Sequence, residues 1–336
     1  MLDSYGISPT GIKSKGRVSN HAVLMGENFT CDGHFDRPIR VVTHAHSDHI
    51  SGLKKSLTEC ELVIMTPTTQ GFLKALYMEK YGDLEGVVAL DYGESFQYRG
   101  EKITLYDANH IPGSAQVLVE TRESDRLLYT GDFKLPGAWI VPADLLIIDS
   151  TYGKPSQTRY FQKRMEDIFV EFVKDKLVEE SVNIYAYHGK IQEALKILRS
   201  NGIKSPAVMP EKIYEATKFC AKKRDIFGHF YSLGSQKGKK TLTKKHIGLF
   251  HKRKNAIDNS CFSVRLSGWI FDRPIRYFDK EYKVGLSDHS DFRRLMQYVE
   301  ESDPKCVITD GSRGGSSKCL AREIRKKFKK SAVSMP

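Results

Sequence analysis

This sequence predicts an α/β fold, and three observations carry the prediction. Up to about residue 152, short apolar runs alternate with turns and few helices. Past Pro155 the pattern changes to helix–strand alternation, which lasts to about 260. After a lysine-rich stretch the chain returns to strands and closes with helices. The middle alternation argues for a small parallel α/β unit.

The elements follow in order. The apolar run 39–43 reads as a buried strand. Pro67 opens a helix over 68–80. Strands are expected at 103–106 and 116–120, and a further strand over 127–133 runs through Asp132. Residues 159–180 have helical periodicity, with Phe161, Met165, Ile168, Phe169, Phe172 and Val173 forming an apolar stripe for the core. A strand at 182–187, a helix at 191–200 ending at Asn201 and Gly202, a strand at 207–209 and a helix at 213–223 complete the alternation. Strands at 262–266 and 282–286, a helix at 292–300, a strand at 306–309 and a last helix follow.

With 336 residues and 40% hydrophobic content, the chain can bury a sizeable core, and its length suggests about two domains. No apolar run approaches the roughly 18 residues of a spanning helix. Met1 to Tyr5 lack the basic start and apolar run of a signal peptide, so a cytoplasmic protein with no membrane partner is expected. Six cysteines, at 31, 60, 220, 261, 306 and 319, form no CxxC pair, which fits reduced thiols and argues against a disulfide framework or a cysteine zinc site.

The net charge of +12 favours a polyanionic partner. Between 236 and 254 stand Lys237, Lys239, Lys240, Lys244, Lys245, Lys252, Arg253 and Lys254, with no acid among them. These are candidate nucleic-acid contacts. A second basic run, Arg325 to Lys330, reads as a solvated tail. At the strand–helix turn Tyr187–His188–Gly189–Lys190, the helix N-terminus favours an anion, and Lys190 is placed to touch a phosphate.

The strand at 39–43 runs into His44, His46, Asp48 and His49. Imidazole nitrogen and carboxylate oxygen are the donors that zinc-class metals favour. In a tight loop, His44 and His46 reach one ion while Asp48 and His49 turn to a second. His110 and Asp132, each at the end of a later core strand, complete a two-metal set with Asp132 as the bridging carboxylate.

The order HxHxDH (44–49), then His110, then Asp132 resembles the metallo-β-lactamase superfamily. Ile147 to Gly153, with Asp149, looks like an acidic motif A, and Val284 to Phe292, with His289, looks like a histidine motif B. Together they resemble the β-CASP nucleases, which cleave DNA or RNA. Ser267–Gly268–Trp269 and the stretch Gly113 to Val117 look closest to the small ligase-associated exonucleases of that group. The resemblance implies a metallo-β-lactamase αβ/βα sandwich in two parts, 1–153 and 261–336, with a β-CASP α/β lobe inserted at 154–260. It departs at motif C: Asp310, in Cys306 to Gly311, stands where RNA-cleaving relatives carry a metal-binding histidine. Asp310 is carried as a candidate oxygen ligand. His188 also departs from the apolar residue usual in the matching turn of relatives.

The implied reaction is phosphodiester hydrolysis with two divalent ions, zinc suiting the histidine-rich set best and manganese also fitting it. Asp48, Asp149 and His289 form the expected catalytic set, with His289 as the acid for the leaving oxygen and Asp149 fixing its tautomer. Two other classes are weighed against it. A hydrolase of small esters or thioesters on the same scaffold usually lacks the insert and motifs A and B. A non-catalytic nucleic-acid-binding relative would not keep the metal motifs intact.

Overall fold

The computed structural model describes residues 9–14, 17–84, 86–221, 226–251, 260–278 and 281–335. The chain divides into two compact units, one of residues 1–158 with 289–336 and one of residues 159–288.

The first unit holds two sheets. One is ordered β1 (Pro9–Ser14), β2 (Arg17–Met25), β3 (Phe29–Cys31), β4 (Ile39–Val41), β5 (Leu62–Met65) and β6 (Val87–Ala89). It is antiparallel up to β3 and parallel from β3 to β6. The other is built from β7 (Ser95–Tyr98), β8 (Glu101–Asp107), β9 (Ala115–Glu120), β10 (Arg126–Tyr129), β11 (Leu145–Asp149), β19 (Cys306–Asp310) and β20 (Ser331–Ser334). Its order is β20-β19-β11-β10-β9-β8-β7, with β10, β11, β19 and β20 parallel.

Strand periodicity explains the layers. In β9, Val117 and Val119 face the inner core while Leu118 faces the other way into a second apolar layer. In β11, Ile147 faces inward and Leu146 and Ile148 outward. Both faces are apolar because both are covered, which is why these strands read as continuous hydrophobic runs. The inner core joins Val23, Met25, Phe29 and Val41 of one sheet to Leu105, Val117, Leu127 and Ile308 of the other. The outer layer packs Leu295 and Val299 of α7 (Phe292–Ser302) and Leu320 and Ile324 of α8 (Ser317–Phe328) on Leu146, Ile148 and Val307. The short helix α1 (Leu53–Glu59) lies against β5 and against α2 (Pro67–Tyr81). Thr66 caps α2 by accepting a bond from the Thr69 amide at 3.1 Å, and Pro67 occupies its first turn. The unit is the helix–sheet–sheet–helix sandwich that the sequence implies.

The second unit is one sheet of β12 (Val182–Tyr185), β13 (Ala207–Met209), β14 (Phe230–Ser232), β15 (Ile247–Phe250), β16 (Phe262–Leu266), β17 (Ile275–Phe278) and β18 (Glu281–Val284). The order is β14-β13-β15-β12-β16-β18-β17, parallel throughout except for the β17–β18 pair. Helix α3 (Met165–Glu179) leads into β12, and α4 (Lys190–Ser200), α5 (Glu211–Ala221) and α6 (Gln236–Leu242) connect the strands from β12 to β15. Its core includes Phe169, Val173, Ile184, Leu195, Leu198 and Val264.

Several expectations need adjusting. The compact unit begins at Arg159 and ends at Asp288, whereas the lobe was expected at 154–260. The cause is long-range pairing: β16 runs parallel to β12, and β18 to β16, so both strands belong to the second sheet. The helix expected from 159 starts at Met165, after 3-10 turns at Pro155–Gln157 and Gln162–Arg164. The strands expected to reach Thr43 and Phe133 end at Val41 and Tyr129, which leaves the ligand-type residues in loops.

Candidate metal centre

The loop that leaves β4 is shaped from beneath by a buried arginine. Arg40 donates to the Ser56 hydroxyl at 2.9 Å, to the Asp32 carbonyl at 2.5 Å and to the His49 carbonyl at 3.1 Å. Burial lowers its pKa to about 10, so it stays charged. Asp32, at φ 60, turns its carboxylate under the same loop. It accepts from the Thr43 amide and hydroxyl, each at 2.8 Å, and from His49 Nδ1 at 2.7 Å. With the Nδ1 proton committed to Asp32, Nε2 is the His49 atom left to meet an ion.

The other walls come from two further strand ends. After β8 the chain turns tightly, and the His110 amide donates to the Ser114 hydroxyl at 2.9 Å. Gly113 makes the turn possible at φ 88; a Cβ there would lie 2.6 Å from the Thr69 backbone nitrogen. After β10, Asp132 brings its Oδ2 to 3.7 Å from His44 Nε2, 3.4 Å from His49 Nε2 and 3.6 Å from His110 Nε2. His46 Nδ1 is 3.1 Å from His110 Nε2.

Ligand atoms of His44, His46, His110 and Asp132 all lie within 4.8 Å of one another. All three imidazoles are buried. The Nε2 atoms of His44 and His49 are buried with no hydrogen-bond partner, and both face the Asp132 carboxylate. Converging donors left without protein partners fit a divalent metal ion. The protonation states of His44 and Asp132 agree. Burial and the neighbouring imidazoles hold the His44 pKa well down, in the neutral ligand form. Burial would raise Asp132, but His49, His289 and His110 outweigh it and keep the carboxylate ionised. Burial and Arg313 pull His49 down, yet Asp132 and Asp32 outweigh them and raise it to about 10, so without an ion its Nε2 keeps a proton that a binding metal must displace. Asp48 is exposed, with its Oδ2 3.6 Å from His49 Nε2.

Asp149 stands at the end of β11. Its Oδ1 accepts from the Thr151 amide at 2.8 Å and hydroxyl at 2.7 Å, and its Oδ2 lies 3.1 Å from His289 Nδ1. His289 Nε2 is then 3.9 Å from Asp132 Oδ2. The residues after His289 fix its backbone. The Ser290 hydroxyl accepts from the Leu135 amide at 2.9 Å, and Asp291 caps α7 through the Arg294 amide at 3.0 Å.

Asp310 sits opposite Asp149 in the β11–β19 register. Its carboxylate is engaged elsewhere: Arg313 Nη1 at 3.5 Å, the Tyr129 hydroxyl at 3.4 Å and the Ser312 amide at 2.8 Å. No ligand group among the described residues includes it. The expectation for Lys190 is also altered. This side chain is buried and ion-paired to Asp288 at 2.8 Å, so its charge already has an internal carboxylate. Lys237, Lys239, Lys240, Lys244 and Lys245 are exposed, whereas Lys252, Arg253 and Lys254 lie outside the described residues. No helix among the described residues is long and apolar enough to cross a membrane.

The sequence reading missed four residues: Asp32, Arg40, Tyr129 and Arg313. Arg313 donates to the Tyr129 hydroxyl at 3.2 Å, and that hydroxyl lies 3.3 Å from Asp32 Oδ2. A buried arginine within an apolar strand was the one available signal for Arg40.

The model of the metallo-beta-lactamase superfamily matches residues 41–169. An uncharacterised protein in the lig 3′ region of Acidianus ambivalens is 44% identical over 137 residues, covering 40% of this chain and 98% of that protein. A probable DNA ligase of Opitutus terrae is 26% identical over 83% of this chain, which spans only 27% of that protein. The probable RNase MJ4 of Methanocaldococcus jannaschii is 28% identical over 80% of this chain and 70% of its own length. Matched metal loop, matched strand ends and relatives that extend over most of the chain place this protein in the metallo-β-lactamase superfamily, as a member of its β-CASP family.

Proposed function

We propose that this chain is a metal-dependent nuclease that hydrolyses phosphodiester bonds of DNA or RNA. One observation carries the reading: three buried histidines and Asp132 converge beside the His289–Asp149 pair. In this reading His44, His46 and His110 would hold one ion and Asp48 and His49 a second, with Asp132 serving both. Zinc suits this donor set best, with manganese next. Bound there, the ions would polarise the scissile phosphate and lower the pKa of water.

The chain's own residues supply the rest. Asp149 holds the Nδ1 proton of His289, so that Nε2 faces the site and hands a proton to the leaving oxygen. Asp32 does the same orienting work for His49. The second unit is the inserted lobe of the family, and the exposed lysines of 237–245 hold the substrate backbone. The lengths shared with a probable DNA ligase and with a probable RNase support a nucleic-acid substrate.

The test is one time course on end-labelled single- and double-stranded DNA and RNA, after elemental analysis of metal-replete protein. Cleavage that stops with chelator and returns with zinc or manganese is expected. Protein that carries no transition metal and cleaves none of the four substrates overturns the proposal.

A further inference from the structure

Two aromatic side chains of the second unit stand in water on backbone that is firmly held. Trp269 is 61% exposed and Tyr160 is 92% exposed. Arg159, the residue before Tyr160, is buried and donates to the carbonyl of Gly268, the residue before Trp269. Its guanidinium also lies 4.7 Å from the centre of the Phe271 ring. The Trp269 loop is tied at both ends, by the Ser267 amide to the Val284 carbonyl at 2.9 Å and by the Gly285 amide to the Pro274 carbonyl at 2.8 Å. Ile270 anchors its middle in the interior. One buried arginine thus clips together the two backbone segments that carry the exposed rings.

Such an arrangement leaves much apolar ring surface in water and orders a loop besides. The neighbouring charge points to what gains. Arg273 and Arg276 are 68% and 49% exposed at the side chain and share a single carboxylate, Asp272. The chain as a whole carries +12. Flat π-faces beside surplus cations suit a strand whose bases are unstacked and whose backbone is anionic. A paired duplex hides those base faces.

We propose that Trp269 and Tyr160 form a stacking platform for the bases of single-stranded nucleic acid, with Arg273 and Arg276 meeting its phosphates. This deepens the nuclease reading above by naming where an unpaired stretch of substrate is held.

The chain has two tryptophans, 139 and 269, so Trp139→Phe leaves Trp269 as the only indole. That variant is titrated with an oligothymidylate, and separately with a blunt DNA duplex, in chelator to prevent cleavage. Indole emission should be quenched in step with binding of the single strand and little changed by the duplex. In the natural background, Trp269→Ala should weaken single-strand binding roughly 5- to 150-fold, the range of one base–aromatic stack, while Trp269→Phe keeps most of it. The salt slope should not change, because no phosphate contact is lost. Saturable binding by anisotropy with unchanged indole emission overturns the platform, and this arm does not depend on the alanine variant folding. Quenching that follows protein concentration instead of oligonucleotide would assign the rings to a second copy of the chain and also overturn it. Cleavage without quenching removes the platform alone; quenching without cleavage removes the nuclease reading alone.

Discussion

Replacing Asp32 with asparagine tests how the metal loop is set. The carboxylate has no exposure and accepts four bonds: Thr43 amide and hydroxyl at 2.8 Å each, His49 Nδ1 at 2.7 Å and the Tyr129 hydroxyl at 3.3 Å. An asparagine that keeps its oxygen towards the Thr43 amide must turn its NH2 towards His49 and Thr43 Oγ1. Two donors then meet at His49 Nδ1. A neutral imidazole resolves the conflict by keeping its single proton on Nε2, the atom that an ion needs deprotonated. Loss of such an orienting partner typically lowers metal affinity about 10- to 100-fold. The metal-free fold should weaken as well, by about 3–5 kcal/mol, because a buried charge opposite His49 and near Arg313 is gone. Competition against a chromophoric chelator reads the first effect, and thermal unfolding of the apo protein reads the second. A folded Asp32→Asn protein that binds its ions within twofold of the natural protein would refute the tautomer argument.

Two further outcomes follow from the same geometry. His289→Ala should cut strand cleavage by about 10²–10⁴-fold while the ion held by His44, His46 and His110 remains, as elemental analysis would show; full turnover by this variant removes His289 from the reaction. Neutralising Lys237, Lys239 and Lys240 of α6 to glutamine should flatten the salt dependence of single-strand binding by about two units, at roughly 0.7 per phosphate contact, and an unchanged slope would make this run a solvated surface.

The parts of this fold that could be read from sequence are those where one strand or helix declares itself. The run into His44 to His49, the strand ends at His110 and Asp132, and the helix over Pro67–Tyr81 are local patterns. The extent of the second unit is not local. Phe262–Leu266 looks the same whichever sheet it joins, and only its pairing with β12 decides the matter. Asp32 was illegible for a similar reason. It lies in a short turn beside Cys31 and His34 with no spacing that links it to His49, and its role depends on φ 60 bringing it under a loop that comes later in the chain. Lys190 shows the opposite failure. A lysine at a helix N-terminus is the expected sequence sign of an anion site, but the anion it meets here is Asp288 of the same unit.

The bond between His289 and Asp149 closes a long loop in the first unit, because the whole of residues 159–288 lies between its two ends. Strands β11 and β19, paired residue for residue, are likewise separated by that unit. The order of synthesis acquires a meaning from this. A nascent chain that has emerged only through β11 already contains His44, His46, His110 and Asp132, but not His289, β19 or the helices that cover Leu146 and Ile148. Domains generally fold as units while the chain is still emerging. The half of the centre proposed to bind ions is therefore available to a growing polypeptide, and the half proposed to handle the proton arrives only once the second unit has been made.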